Sequence, residues 1–147
     1  NYYNVSCELI NYMKKLLLLL FSLILSFNSY GELTKVSRSV DKDSYYIYTD
    51  TIRENNGYVY WWDLTDFIEP GPYLKGNDIV WTLMSIKTYS QGDCGVFRYK
   101  MLSHIDYEQS MAKGKGKPTN FSNSEWKYPP PGSVSETILN FACDYVD

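Results

Sequence analysis

Histidine and cysteine are scarce. The chain has one histidine, His104, and three cysteines, Cys7, Cys94 and Cys143. A zinc site draws on more His or Cys ligands than that. No Cys-x-x-Cys pair is present to support thiol redox chemistry. No loop carries the ligand-dense pattern of an EF-hand. We therefore expect no metal and no cofactor. Basic residues do not dominate either, with 14 Lys and Arg against 17 Asp and Glu and a net charge of −3. That balance argues against a nucleic-acid partner.

Catalytic machinery is equally thin. Ser103, Asp106 and Glu108 stand near His104 in sequence, but a triad is a constellation in space, with a nucleophile, a base and an orienting acid. With no motif around it, His104 reads as a surface or loop-edge residue. No catalytic residue is named, and the chain is not expected to be an enzyme.

The longest apolar run, 16–27, is shorter than the roughly 20 residues that a spanning helix needs. It follows Met13-Lys14-Lys15, a short basic start, and precedes Ser29-Tyr30-Gly31, small enough at the right places for a cut before Glu32. This pattern is that of a secretory signal peptide over 13–31. The competing reading is a membrane anchor. Residues 1–12 precede a methionine that looks like a natural start and read as a non-native upstream extension. No cysteine closely follows the apolar run, so no lipoprotein attachment site is evident. The expected location is the periplasm, the cell surface or the medium, with no stable membrane span after cleavage.

What remains, 32–147, is one domain by length. It is rich in aromatic residues, which make up 17% of the whole chain with 15 Tyr and 4 Trp. Such residues suit pleated, half-buried surfaces. Two cysteines in an exported chain form an even set, and an oxidising compartment favours a Cys94–Cys143 bond. Free buried thiols are the alternative.

The pattern along the chain is mostly strand-like. Segment 33–40 is a first strand, and 44–49 a second that continues through 53. Glu54-Asn55-Asn56-Gly57 is a hairpin loop, since Asn-Gly tolerates positive φ. In 58–67, Tyr58, Tyr60, Trp62 and Leu64 share one face, which we assign to the core. Val59, Trp61, Asp63 and Thr65 share the other, assigned to the outside. Segment 68–78, with Pro70-Gly71-Pro72 and Gly76-Asn77, reads as a loop. Segment 79–89 is a central strand, 90–93 a turn, and a further strand begins at Cys94. Segment 112–123 is polar and flexible. Ser133-Val134-Ser135-Glu136 is a capping box. Val134, Ile138, Phe141 and Tyr145 then repeat at helical spacing. The fold class is α+β: one antiparallel sheet of about five to six strands with a C-terminal helix packed on one face.

These landmarks resemble the surface-adhesin protein E family of bacterial exported proteins. They are Tyr45-Tyr46-Ile47 with Asp50 and Ile52, Val59-Tyr60-Trp61-Trp62-Asp63-Leu64, Ser85-Ile86-Lys87, Asp93-Cys94 and Arg98. The end matches best, in Trp126, Pro131-Gly132-Ser133, Glu136, Ile138-Leu139 and Cys143. The resemblance covers 33–143. It implies an antiparallel sheet with a packed C-terminal helix, surface exposure, and, in the characterised branch, binding of host extracellular-matrix and serum proteins. That branch is lipid-anchored, and the cysteine for such an anchor is lacking here.

Two features are candidates for partner contact. Lys113-Gly114-Lys115-Gly116-Lys117 concentrates positive charge that sulfated glycans, acidic protein segments or anionic lipid heads would meet. Its alternative is a solvated flexible loop. Trp61 and Trp81, with Tyr73, Tyr89 and Tyr107, are candidates for an aromatic recognition surface, against the alternative of core or sheet packing. One helix covers one sheet face, so the other is polar, paired or used for binding, and self-association stays open. The expected function is an exported bacterial interaction protein that binds a protein or glycan by sheet-face and loop contacts. The alternative is a periplasmic binding or enzyme-inhibitor module.

Overall fold

The computed structural model describes residues 13–15 and 33–146 of the chain. Residues 13–15 are helical and belong to a separate unit from the body that begins at Gly31. The upstream extension over 1–12, the apolar stretch 16–27 and the expected cut before Glu32 lie outside the described residues. Among the described residues no helix is long and apolar enough to cross a membrane.

The body is one antiparallel sheet with a single long helix. Its strands are β1 (Leu33–Arg38), β2 (Ser44–Tyr48), β3 (Arg53–Asn55), β4 (Tyr58–Lys75), β5 (Asp78–Asp93), β6 (Arg98–Tyr107) and β7 (Lys117–Asn120). The order is β1-β2-β4-β5-β6-β7, with β3 pairing separately to the start of β4. The helix α1 (Val134–Val146) follows. The expected class holds, with seven strands; the short β3 and β7 are the additions.

Turn chemistry explains the connections. Asn56 and Gly57 both take positive φ, so β3 and β4 join through the tight turn that Asn-Gly favours. The strand expected over 44–53 is broken by a 3-10 turn at Thr49–Thr51. Thr51 Oγ1 donates to Tyr48 O at 2.7 Å and accepts from Trp62 N at 3.0 Å, which pins that turn to β4.

The turn expected over 90–93 is instead the end of β5, and the chain reverses over 94–97. Asp93 closes the reversal. Its Oδ1 accepts from Val96 N at 3.1 Å, and its Oδ2 meets Arg98 at 3.0 Å. Cys94 therefore sits in a turn, not at a strand start, and is bonded to Cys143 with a Cα–Cα distance of 5.8 Å. The bond fastens α1 to the β5–β6 turn.

The segment read as a loop, 68–78, belongs largely to β4 and β5. The ladder shifts register between Asp66 and Gly71 and again at Pro72, and then runs on to Lys75 opposite Asp78. Proline lacks an N–H and is tolerated on a free strand edge. The edge is free here, because β2 stops pairing at Asp66.

The face assignment of β4 is inverted except at Leu64, which is buried as expected, at 1% exposed, on the face away from the helix. Val59, Trp61 and Asp63 are buried beneath α1, with Ile47, Ile138, Leu139, Ala142 and Cys143 completing the core. Tyr58, Tyr60 and Trp62 are half-buried on the open face. The helix selects its side by volume. Leu139 is fully buried, and a β-carbon built on Gly92 would stand 2.7 Å from Leu139 Cδ1. Only a glycine lets the helix approach β5 so closely.

The start of α1 is capped much as expected. Glu136 N donates to Ser133 Oγ at 3.2 Å, while the Glu136 carboxylate reaches Gly132 N, one residue earlier than the capping box prescribes.

Candidate binding site

Beyond the pairing limits of β2 and β6, strands β4 and β5 continue as a two-stranded arm. Its ladder pairs Pro72 with Trp81, Leu74 with Ile79 and Lys75 with Asp78. Side chains alternate across a strand, so Pro72, Leu74, Ile79 and Trp81 share one side of the arm. Leu74, Ile79 and Trp81 are 60%, 67% and 69% exposed. Two strands alone are marginal in water, and three large apolar side chains on one exposed side form a patch that calls for a partner.

The lysine loop lies against this arm. Lys117 Nζ donates to Leu74 O at 3.1 Å and stands 5.2 Å from the centre of the Tyr73 ring. Lys75 Nζ approaches Glu108 Oε1 at 4.0 Å. Tyr73, Glu108, Lys115 and Lys117 line one shallow recess. The loop is more ordered than expected, because β7 pairs with β6 from Asp106 to Ser103. Gly116 packs on Ile105 and Tyr107, and the Ser110–Ala112 turn crosses the open face. There Met111 N donates to Asp66 Oδ1 at 2.6 Å, and Ser85 Oγ bridges Gln109 O and Ala112 N. Lys113 and Lys115 are exposed.

The rest of the open face is internally paired. Trp62 and Tyr89 stack at 5.0 Å, and Lys87 Nζ lies 4.2 Å above the Tyr48 ring and 5.0 Å from that of Trp62. Burial pushes the Lys87 ammonium below its usual range, and Asp50 opposes the shift. Arg53 donates to Tyr89 Oη at 2.6 Å. Rings and cations here already serve one another, which leaves the arm as the more available surface.

A cavity of about 270 Å³ opens on the opposite, helix-bearing face. Trp61 and Asp63 form its floor, Thr65, Thr88, Ser90 and Ser135 bring hydroxyls, and Tyr45, Tyr99, Met101, Val134 and Ile138 supply apolar wall. Asp63 Oδ2 accepts from Trp61 Nε1 at 2.9 Å. Burial raises the Asp63 pKa to about 7, against the lowering effect of the Trp61 bond.

The fold and the two sites stand beside a sequence match: the profile described as surface-adhesin protein E aligns with residues 33–144. The chain belongs to the surface-adhesin protein E family. Its structure is similar to crystal form II of Haemophilus influenzae protein E, at 12% identity and a TM-score of 0.60, over 80% of this chain and 91% of that one. It is likewise similar to protein E from non-typeable Haemophilus influenzae, at 13% identity and a TM-score of 0.53, over 82% and 85%. At such identity the likeness carries the fold. No curated protein matches the sequence.

Within this adhesin-E domain the residues expected at a contact surface separate. Trp81 and Lys117 both reach the arm but on opposite sides of it, Trp81 in the apolar row and Lys117 over Tyr73, which pairs with Val80 and so faces the other way, with Lys113 and Lys115 on the adjoining loop. Trp61 does not join them. It is 2% exposed, its ring sits under α1, and it is corrected from contact residue to core residue. Tyr89 and Tyr107 are half-buried on the open face. His104 Nε2 lies 3.6 Å from Asp106 Oδ2, and its ring meets Phe121 edge-on at 5.1 Å. Ser103 pairs with Asn120 and, by alternation, points to the other side of β6. Among the described residues no group of three or more His, Cys, Asp or Glu side chains is placed to hold a metal.

Leu74, Ile79 and Asp63 were not anticipated. Leu74 fell in a segment read as loop. Ile79 was credited to a central strand. Asp63 was placed outside with Trp61, although their shared period-two position was itself a sign that they lie together.

Proposed function

We propose that this chain is an exported interaction protein that binds a macromolecule of the host or the surroundings through the apolar side of the β4–β5 arm, assisted by the lysines on the arm's other side. The single observation that carries this reading is the row of Leu74, Ile79 and Trp81, each 60% or more exposed on a ladder-bonded arm. Such side chains add little to the core, and covering them would remove apolar area from water at about 25 cal/mol per Å². A large aromatic at the centre of such a patch is a common interface anchor. Membership of a surface-adhesin family supports the same reading. The partner class follows from the arm's two chemistries, an apolar strip on one side and lysines over Tyr73 on the other, which suit a protein segment that covers the strip with apolar residues and reaches round the edge of the arm with acidic ones.

The test is capture on immobilised extracellular-matrix and serum proteins. The Trp81→Ala/Ile79→Ser variant should lose about tenfold or more in apparent affinity, with an unchanged melting curve. Equal capture by the variant and the original chain would refute the arm as contact surface. Surface proteolysis of intact cells separates the two locations. Cleavage supports a surface protein, whereas protection with release on osmotic shock supports a periplasmic binding module.

A further inference from the structure

We propose that the cavity between α1 and the sheet is a binding site for a compact apolar molecule bearing one ammonium group, with Asp63 as its counter-ion. This site is separate from the arm and lies on the other face of the sheet.

Three observations point to that ligand. The first is charge. Asp63 is 8% exposed, and among the described residues only Trp61 Nε1 hydrogen-bonds to its carboxylate, at Oδ2. No lysine, arginine or histidine lines the cavity. A buried carboxylate without a counter-ion is costly, and an ammonium delivered by a ligand offsets that cost. The second is the wall. Trp61, Tyr45 and Tyr99 present rings to the space, and aromatic faces attract ammonium groups while packing against hydrocarbon. The hydroxyls of Thr65, Thr88 and Ser90 give acceptors for the ammonium's remaining N–H donors. The third is size. A volume of about 270 Å³ is at the small end of ligand sites and excludes a folded partner.

An anion is the competing occupant, because the start of α1 forms part of the wall and helix starts favour negative charge. That pull is already spent. Ser133 Oγ satisfies Glu136 N, and the Glu136 carboxylate itself stands at the helix start on Gly132 N.

Binding is also linked to pH. The groups facing Asp63 are Tyr45 from β2, Thr88 and Ser90 from β5, Tyr99 from β6 and Ser135 from α1. His104 lies one strand beyond Thr88 and is engaged with Asp106. No lysine or arginine is among the groups that line the cavity with Asp63. An entering ammonium favours the ionised carboxylate, so the proton held by Asp63 leaves to solvent as the cation enters.

The probes are 2-phenylethylamine, its neutral counterpart 2-phenylethanol and the anion 3-phenylpropionate, titrated into the full chain while the Trp61 indole N–H resonance is followed by NMR. The amine should give a saturable shift at millimolar concentration or below, the alcohol should bind about tenfold more weakly, and the anion should give none. Lowering pH from about 7.5 to about 5.5 should weaken amine binding about tenfold or more, as the carboxyl becomes protonated. Asp63→Asn should bring the amine down to the level of the alcohol. Thr65→Leu, which fills the cavity and keeps the carboxylate, should abolish binding of both and serves also if Asp63→Asn fails to fold. No saturable shift with the amine, equal binding of amine and alcohol, or amine binding that survives Thr65→Leu would overturn the proposal.

Discussion

Trp61 Nε1 donates to Asp63 Oδ2 at 2.9 Å, from two residues along the same strand and the same side of it. The bond joins the largest fully buried side chain of the core to a carboxylate that has no cationic partner in the cavity. It lets an indole N–H be satisfied beneath the helix, but it leaves the protein holding a titrating group where burial penalises charge.

That arrangement predicts an unusual dependence of stability on pH. Asp63 has its folded pKa raised to about 7 from an ordinary value of 3.8. Between these values the folded state holds a proton that the unfolded state has released, so stability falls as pH rises through the window. The loss is complete above about pH 7 and amounts to about 4 kcal/mol. Asp63→Asn keeps an oxygen for Trp61 and removes the titration. Urea denaturation should show the variant gaining on the original chain from pH 5 to pH 8. A constant difference across that range would contradict the assignment.

Gly92 predicts a steric limit. A β-carbon there would stand 2.7 Å from Leu139 Cδ1 and 2.9 Å from both Trp61 and Val59. All three neighbours are at most 2% exposed, and Leu139 and Val59 do not border the cavity that Trp61 lines. Gly92→Ala should cost about 1–3 kcal/mol by overpacking, seen as a lower denaturation midpoint with unchanged slope. A neutral result would mean that the helix can shift away from β5.

Much of the fold was legible, and the errors have physical causes. The strands β2, β4, β5 and β6 announced themselves through aromatic and β-branched runs, and α1 through Ser133 and its helical spacing. The two faces of β4 were not distinguishable, because Trp61 and Trp62 are adjacent and each face carries large apolar residues. Asp63 then biased the choice, since carboxylates are seldom buried. The arm was hidden for a different reason. Pro70-Gly71-Pro72 breaks a strand that is paired on both sides but not one with a free edge, and whether an edge is free depends on where β2 stops. The exposure of Leu74 and Trp81 likewise follows from the ends of neighbouring strands, which no local pattern records.

The disulfide makes a third prediction. Cys94 and Cys143 are 49 residues apart in sequence, and closing such a loop restricts the unfolded chain by about 4 kcal/mol in the entropy model. Replacing both with serine should lower the melting temperature by on the order of ten degrees. The original chain, reduced and held reduced, should melt with the double variant. Equal melting of the oxidised chain and the variant would show that the bond adds nothing beyond the packing of Leu139 and Ala142.

The lysine loop is expected to divide by position. Lys117 is tied to Leu74 O and to the Tyr73 ring, whereas Lys113 and Lys115 are exposed on the loop before β7. Lys117→Glu removes that tie and places a carboxylate opposite Asp106, its register partner in β6. It should cost about 0.5–1 kcal/mol, an amount that shrinks with added salt. Lys113→Glu/Lys115→Glu should leave stability within about 0.5 kcal/mol and reduce retention on a heparin column, since exposed charges act on a polyanion through the field around them. If Lys117→Glu alone matched the double variant in retention, positive charge next to the arm would matter more than charge at the loop tip. If neither changed retention, the lysines would be a solvated edge, and the apolar side of the arm would carry partner contact by itself.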